Sequence, residues 1–322
     1  MFTDASDALI KPVGDNFWAI VVGINCYDDG PTLSGCVNDA KLIIEHLIEN
    51  LLVPPSRIIA LTSSPLDVSL ERKIGSSRRP TRVAILDALH AHFRDNDAVD
   101  PNDNLFFSFS GFGSIYGDSE EPSRTKALCP MDRNLDLNSS SYVCDISDRE
   151  LDIVFSEIRD SKGANITAVL DCSHSPTPSP HERSLPRAYN SADKERMFEV
   201  AESDPRRRWT TPSLSSPSWQ ADKSSHVSLA ACESHQAASE VASPYILNEK
   251  HGFFTRALVY ALQSPPGIDP ALTYYGLVKK VMRPSTTQTF VGAGDRLHSR
   301  LWFREGEIPE EPDIVREMTR TC

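Results

Sequence analysis

Two short segments of the sequence carry residue types that take part in nucleophilic catalysis. Asp171-Cys172-Ser173-His174-Ser175 brings a carboxyl group, a thiol, hydroxyls and an imidazole together, and Ser110-Gly111-Phe112-Gly113 is a glycine-rich turn. Each segment directly follows an apolar run, at 105–109 and at 166–170. A thiol or hydroxyl attacks a carbonyl carbon efficiently when a base takes its proton and backbone N–H groups stabilise the oxyanion. The two segments are therefore the candidates for such a site.

The individual side chains limit this chemistry. Phe112 has no lone pair and cannot accept a proton, and the neutral hydroxyl of Ser173 is a poor nucleophile without a base. Cys172 and His174 flank Ser173, and in an extended chain neighbouring side chains point to opposite faces. We therefore expect Cys172 to be a small buried residue rather than a substitute nucleophile, and Phe112 to be a ring packed in the interior.

The elements around these segments are predicted by their apolar patterns. Continuous apolar runs indicate buried strands, and apolar residues at helical spacing indicate the helices between them. Strands that alternate with helices predict an α/β fold with a mostly parallel sheet. Both segments then lie at the carboxyl edge of the sheet, where open α/β sheets place their sites. The predicted strands are 18–24, 57–61, 105–109, 166–170, 226–232 and a short last one at 300–303, and the main predicted helices cover 37–51, 252–262 and 272–282.

Composition excludes several classes of protein. A chain of 322 residues with 39% hydrophobic content can form a large core, and its formal charge of -12 argues against a nucleic-acid binder. Seven cysteines, with no metal-type spacing, indicate neither a disulfide framework nor a zinc site. The sequence shows no signal peptide and no membrane span, so we expect no membrane partner and a cytoplasmic location.

The segment 173–225 differs in composition from the rest of the chain, because serine, proline, arginine and charged residues dominate it. The sequence contains only one short apolar island in it, Met197-Phe198-Glu199-Val200. A segment of this kind and length is either functional or disordered. We expect a flexible loop, and a role in docking or phosphorylation is one hypothesis for it.

Taken together, the motifs resemble the metacaspase branch of the caspase-like cysteine peptidases. The resemblance runs from about Phe17 to Phe303, and the compact chain looks most like the caspase-domain proteins of mushroom-forming fungi. It implies a caspase-like fold, with a mostly parallel sheet of about six strands flanked by helices on both faces. The motifs occur in the family's order and comprise Leu33 to Ala40, Ser110 to Gly113, Asp171 to Ser175, Ser228 to Cys232 and Gly252 to Leu258.

The resemblance assigns the reacting positions. In the family, Ser-Gly-His-Gly supplies the general base and Asp-x-Cys-His-Ser the nucleophile, and these positions are occupied here by Phe112 and Ser173. The backbone N–H groups of Gly113 and Ser173 match the oxyanion donors. Both reactive side chains of the family are therefore substituted in this sequence.

The resemblance also assigns a binding pocket. Metacaspases cleave after Arg or Lys, and the positions that hold the basic side chain match Cys36, Asp39 and Asp171. Two carboxylates at one pocket favour a guanidinium, which they can bind in a bidentate manner. The alternative is structural, with Asp39 at a helix N-terminus and Asp171 at a strand end.

Calcium is the one cofactor that the family suggests, since many metacaspases hold it in an acidic cluster. Asp118, Glu120 and Glu121 lie in a suitable loop but do not reproduce a full ligand set. Calcium requires six or more oxygen ligands. We therefore expect no cofactor and no metal site.

The predicted organisation is an N-terminal extension (1–16), a caspase-like domain (17–304) and a C-terminal tail (305–322). Within the domain, a large-subunit-like part (17–172) and a small-subunit-like part (226–304) flank the loop. The leading hypothesis is an inactive pseudopeptidase whose acidic pocket binds basic peptides or protein partners, including active caspase-domain relatives. The alternative is an active cysteine endopeptidase that cleaves after Arg or Lys, either through Cys172 or with Ser173 standing in for a native cysteine.

Overall fold

The computed structural model describes residues 13–304, apart from 29, 118–123, 175–188, 209–212, 244–245, 248, 284 and 286. Within these residues the strands are numbered in chain order. They are β1 (Phe17–Gly23), β2 (Ile58–Thr62), β3 (Asn104–Ser110), β4 (Gly113–Tyr116), β5 (Thr125–Leu128), β6 (Ile146–Ser147), β7 (Asn165–Asp171), β8 (His226–Ala230), β9 (Glu240–Ala242), β10 (Lys250–Gly252) and β11 (Val291–Ala293).

The central sheet has six strands in the order β11-β8-β7-β3-β1-β2. Only β11 runs antiparallel to its neighbour, β8. The mostly parallel α/β sheet predicted from the sequence is therefore confirmed. Every residue of β1 and β3 is buried, which explains why β1 is a continuous apolar run and why β3 carries four apolar residues beside small or amide polar ones.

Helices cover both faces of this sheet, and two apolar clusters lie between the layers. Ile20 and Phe107 point into one cluster with the helix α4 (Asp148–Lys162). Val21 and Phe106 point into the other cluster with the helices α1 (Cys36–Glu49) and α6 (Phe253–Leu262). The helices α3 and α7 continue as π-helical turns to Arg94 and Val281. The helices are α1 (Cys36–Glu49), α2 (Val68–Ile74), α3 (Arg82–Ala88), α4 (Asp148–Lys162), α5 (Ser191–Glu202), α6 (Phe253–Leu262) and α7 (Tyr274–Gly276).

Two small sheets complete the described part of the chain. The strands β4, β5 and β6 form an antiparallel sheet directly after the glycine-rich turn, and β9 pairs with β10. Behind the first of these sheets, the buried carboxylate of Asp145 accepts hydrogen bonds from Ser114 (2.6 Å), Tyr116 (2.8 Å) and Arg133 (2.8 Å). Because the carboxylate is paired and hydrogen-bonded, its charge is compensated in the interior.

Two local predictions differ from the structure. The segment expected to be a loop contains α5, which begins with a capping box between Asn190 and Asp193 and buries Met197 and Phe198. The segment expected to be the last strand is a 3₁₀ turn at Leu301–Phe303, and β11 forms that edge of the sheet instead.

Among the helices of the described residues, none combines the length and the apolarity that crossing a membrane requires.

Candidate functional site at the carboxyl edge of the sheet

The parallel pairing of β3 and β7 brings the two candidate segments together. Ser110, the last residue of β3, is the register partner of Asp171, the last residue of β7. The turns that follow these residues therefore leave the same edge of the sheet side by side, as the strand order predicts.

Phe112 lies at the tip of the glycine-rich turn and is 4% exposed. Its ring packs on Tyr27 with 5.1 Å between the ring centroids and 40° between the planes. Its backbone N–H donates to the Tyr27 hydroxyl at 2.7 Å. Tyr27 thus holds both the ring and the backbone of this residue, so the turn is fixed with an apolar side chain in its centre.

Ser173 is fully buried, and among the described residues its hydroxyl oxygen has no hydrogen-bond partner. Its carbonyl oxygen lies against Gly113, where a Cβ atom would approach it to 2.4 Å. The same Cβ would lie 2.9 Å from the His174 ring. Gly113 is therefore required for the close approach of the two turns, and no described group is placed to take a proton from Ser173.

Cys172 and His174 meet on one side of the second turn, with 4.0 Å between Sγ and Nε2. The thiol is 4% exposed. Burial and the nearby Lys126 cation lower the pKa of His174 to about 3. A hydrogen bond to the Ala127 backbone acts to raise this pKa but is outweighed. An imidazole with so low a pKa stays neutral at physiological pH but is a weak general base.

The two predicted pocket carboxylates meet at the N-terminus of α6. Asp171 accepts hydrogen bonds from the N–H (2.9 Å) and the hydroxyl (2.6 Å) of Thr255, and Asp39 accepts one from the N–H of Gly252 (2.8 Å). Both carboxylates are 0% exposed. Cys36 is also fully buried and begins α1. Asp39 and Asp171 thus bind the positive end of a helix, whose N–H groups would otherwise lack acceptors.

A histidine adds to this acidic pair. His251 is 3.6 Å from Asp39 through Nδ1 and 3.6 Å from Glu249 through Nε2. Burial lowers the pKa of His251, but the carboxylates of Asp39 and Glu249 outweigh burial and raise it above its usual range.

Sequence reasoning did not identify Tyr27, His251 or Thr255 as part of this region. Tyr27 lies in an irregular loop after β1, so its contact with Phe112 has no periodic signal. The sequence did carry a signal for Thr255. It is the third residue of α6, and the N–H groups in the first turn of a helix favour a negatively charged partner.

Asp118, Glu120 and Glu121, the acidic residues weighed for calcium, lie outside the described residues. In the described part of the chain, no three His, Cys, Asp or Glu side chains come close enough to hold a metal ion. No step is assigned to a metal.

Comparison with known proteins identifies the family. A sequence profile described as "Metacaspase, peptidase C14 domain" matches residues 18–180, about half of the chain. The chain belongs to this family. The matched range of this metacaspase-family chain contains Asp39, both turns, β1 from its second residue and the whole of β2 to β7.

Curated relatives are fungal metacaspases. The chain is 28% identical to Metacaspase-1A of Aspergillus oryzae over 160 residues, which are 49% of this chain and 34% of that protein. It is 31% identical to Metacaspase-1 of Cryptococcus neoformans over 162 residues, or 49% of this chain and 31% of that protein. The chain therefore spans about a third of the length of the relatives it matches.

One solved structure shares the fold of this metacaspase-family chain. Protein GSU0716 from Geobacter sulfurreducens superposes with a TM-score of 0.55 at 16% identity, covering 89% of this chain and 98% of that chain. At this identity the match supports the caspase-like fold and nothing further.

Proposed function

We propose that this metacaspase-family chain is a pseudopeptidase, which does not hydrolyse peptides and binds partners through the basic side chains they present. Phe112 takes the position of the general base and Ser173 that of the nucleophile. The partners are basic peptides or proteins, including active caspase-domain relatives, in the cytoplasm, where the chain's odd number of cysteines stays reduced.

The packing of Phe112 carries this proposal. Its buried ring packs against Tyr27, and its backbone N–H donates to the Tyr27 hydroxyl at 2.7 Å. The Ser173 hydroxyl has no partner among the described residues. Where nucleophile and base act as a unit, loss of either lowers turnover by about 10⁴ to 10⁶, equivalent to about 5 to 8 kcal/mol of barrier.

The acidic pair supports the binding part of the proposal. Asp39 and Asp171 both accept hydrogen bonds from the start of α6, and Asp171 directly precedes Cys172 of the second turn. A guanidinium would have to share them with the N-terminus of α6 and with His251. We therefore expect arginine-containing partners to bind with modest affinity and with a preference for arginine over lysine.

The second candidate is an active cysteine endopeptidase that uses Cys172. The distance of 4.0 Å between its sulfur and Nε2 of His174 favours it. Against it stand the burial of the thiol and the pKa of His174 at about 3, since a weak base does not generate a thiolate. Labelling of Cys172 by an arginine-terminated peptide electrophile would support this candidate, and a clean absence of labelling would remove it.

The decisive experiment is an assay with fluorogenic peptides that end in arginine. We expect the unmodified chain to stay at the buffer rate and the double variant Phe112→His, Ser173→Cys to hydrolyse the peptide. A histidine ring at 112 keeps the aromatic contact with Tyr27, so the variant should fold. Robust turnover by the unmodified chain would refute the proposal.

The matched control is the double variant Phe112→Leu, Ser173→Ala, which changes the same positions without supplying a base or a thiol. Binding of the same peptide, with a non-cleavable C-terminal amide, is measured on the unmodified chain by fluorescence polarisation. Asp39→Asn should weaken it about tenfold, while the exposed Asp160→Asn should leave it unchanged.

A further inference from the structure

A cavity of about 340 Å³ lies between α4, β7, β8 and the residues 213–225, here named the strap. Its volume is at the lower end of the range for small-ligand sites. The strap forms one wall through Trp219, Ala221 and Asp222. The apolar floor comes from α4 and β7 and consists of Leu151, Phe155, Ala168 and Leu170.

The polar groups in this cavity are mainly carboxylates. Asp148, Asp152 and Asp222 line it, and the basic lining residue, Lys223, is exposed to solvent. Asp152 is 8% exposed, and its Oδ2 accepts the backbone N–H of Asp222 at 2.9 Å. The cavity therefore has a negative field over an apolar floor.

Both of the inner carboxylates are ionised near neutral pH. Burial raises the pKa of Asp152 to about 6. Burial also acts to raise the pKa of Asp222, but hydrogen bonds from Ser224 and Ser156 and the charge of Arg159 outweigh it and lower that pKa. The hydrogen bonds from Ser224 Oγ (2.6 Å) and Ser156 Oγ (3.1 Å) also fix the Asp222 carboxylate in place.

His226 contributes an acceptor rather than a donor. The Ser225 hydroxyl donates to the Asp222 carbonyl at 2.8 Å, so it accepts from Nδ1–H of His226 at 2.7 Å. Burial lowers the pKa of His226 to about 4, which keeps the ring neutral. In this tautomer Nε2 carries a lone pair. The cavity thus offers hydrogen-bond acceptors and the negative charges of Asp152 and Asp222 to a ligand that donates hydrogen bonds.

The wall at Trp219 is held rigidly. The Arg149 guanidinium stacks on the Trp219 ring, 4.9 Å from its centroid, and on the Phe198 ring at 5.2 Å. Arg149 also donates to the carbonyl of Leu214, a fully buried residue of the strap. This stack attaches the strap to α4 and α5, so the cavity keeps its shape without a ligand.

A bare metal ion does not suit this arrangement, because the described residues bring no three carboxylate, thiol or imidazole side chains within reach of one ion. An organic ligand with an apolar part fits better, since most of the lining is apolar. We propose that this cavity binds an organic ammonium with a compact apolar body, its nitrogen between Asp152 and Asp222 and its body over Phe155 and Leu170. This site is separate from the Asp39 and Asp171 pair and does not depend on the proposed function.

The test uses the full chain and 2-phenylethylammonium as the probe, with 2-phenylethanol and 3-phenylpropionate as neutral and anionic analogues. Binding is followed by tryptophan fluorescence and by isothermal titration calorimetry. We expect the ammonium compound alone to change the fluorescence, and Trp219→Phe to abolish that change. Affinity should fall below about pH 6, where Asp152 takes up a proton together with Asp148, whose pKa burial also raises to about 6.

Asp152→Asn should weaken binding by at least about tenfold, because the amide keeps the acceptor for the Asp222 N–H but removes the charge. The matched control is Asp160→Asn, at an exposed position of the same helix, which should leave binding unchanged. Thermal unfolding checks that each variant is folded.

The proposal would be overturned by a lack of binding of the ammonium compound at 10 mM or below (about -2.7 kcal/mol). Equal binding of the neutral analogue, or full affinity in folded Asp152→Asn, would overturn it as well. A fluorescence change that persists in Trp219→Phe would place the ligand elsewhere and would also contradict the proposal.

Discussion

The two halves of the candidate site hold their polar groups very differently. At the start of α6, the carboxylates of Asp39 and Asp171 are 0% exposed and accept hydrogen bonds of 2.6 to 2.9 Å from the helix. At the turns, the Phe112 ring packs on Tyr27, and the Ser173 hydroxyl has no partner among the described residues. The carboxylates therefore stabilise the start of α6, whereas the Phe112 side chain contributes by packing in the interior. We therefore expect loss of the Ser173 hydroxyl to leave the fold stable and loss of either carboxylate to destabilise it.

The largest expected effect tests the carboxylate half. Asp171→Ala should lower the free energy of unfolding by about 3 kcal/mol, because the N–H and hydroxyl of Thr255 lose a charged, buried acceptor. Denaturant unfolding measures this change. The exposed Asp160→Ala serves as control and should change stability by less than about 0.5 kcal/mol. A loss below about 1 kcal/mol for Asp171→Ala would mean that the contact with α6 contributes little.

A similar loss is expected where the two turns touch. Gly113→Ala should cost about 2 kcal/mol, since its Cβ would lie 2.4 Å from the Ser173 carbonyl, a backbone atom that cannot move away alone. The comparison is Gly276→Ala, whose nearest neighbours are side-chain atoms at 3.1 and 3.2 Å. Gly276→Ala should be close to neutral by the same unfolding measurement, and equal losses for the two variants would contradict this account.

A smaller effect, of opposite sign, is expected at Ser173. Ser173→Ala should raise the free energy of unfolding by up to about 1 kcal/mol, because it removes a buried hydroxyl without a described partner. Thr255→Val removes a hydroxyl that does have a partner, Asp171 at 2.6 Å, and should lower stability by about 1.5 kcal/mol. If both variants lose stability equally, the Ser173 hydroxyl has a partner and the contrast between the halves fails.

The smallest expected effect is a pH dependence at His251. Its pKa is raised in the folded chain by Asp39 and Glu249, so protonated His251 stabilises the fold. This stabilisation is fully present below the ordinary histidine pKa of about 6.5 and is lost as the pH rises through the raised value. Between pH 5.5 and 9, the unmodified chain should therefore have a higher free energy of unfolding than His251→Gln at the acidic end. This difference should disappear at the alkaline end. A difference in the free energy of unfolding that widens as the pH rises would contradict this prediction.

Much of the sheet was predictable because its central strands are buried on both faces. Runs such as Trp18 to Ile24 have no polar alternation, and this pattern indicates parallel strands in a layered α/β fold. The juxtaposition of the two turns followed from the strand order, since the carboxyl ends of neighbouring parallel strands share one edge.

The remaining features depend on tertiary contacts that leave little local signal. Helix α5 buries Met197, Phe198 and Ala201 in an otherwise polar segment, so its apolar stripe is too sparse to predict a helix. Trp302 occurs in an apolar run typical of a strand, yet its φ is 57° and its ring packs against Phe17 and Phe106. Packing of this large ring, rather than strand propensity, determines the local backbone.

The contacts at the start of α6 also determine how the chain would behave after proteolysis in the strap. Asp39 and Asp171 belong to the part before the strap and Gly252 and Thr255 to the part after it, and Glu240 adds a hydrogen bond of 2.6 Å to the N–H of Gly35. Together with the ladder between β7 and β8, these contacts join the two parts without the covalent connection. A nicked chain would thus persist as a complex of two fragments, and its melting temperature would rise with protein concentration, as for a heterodimer.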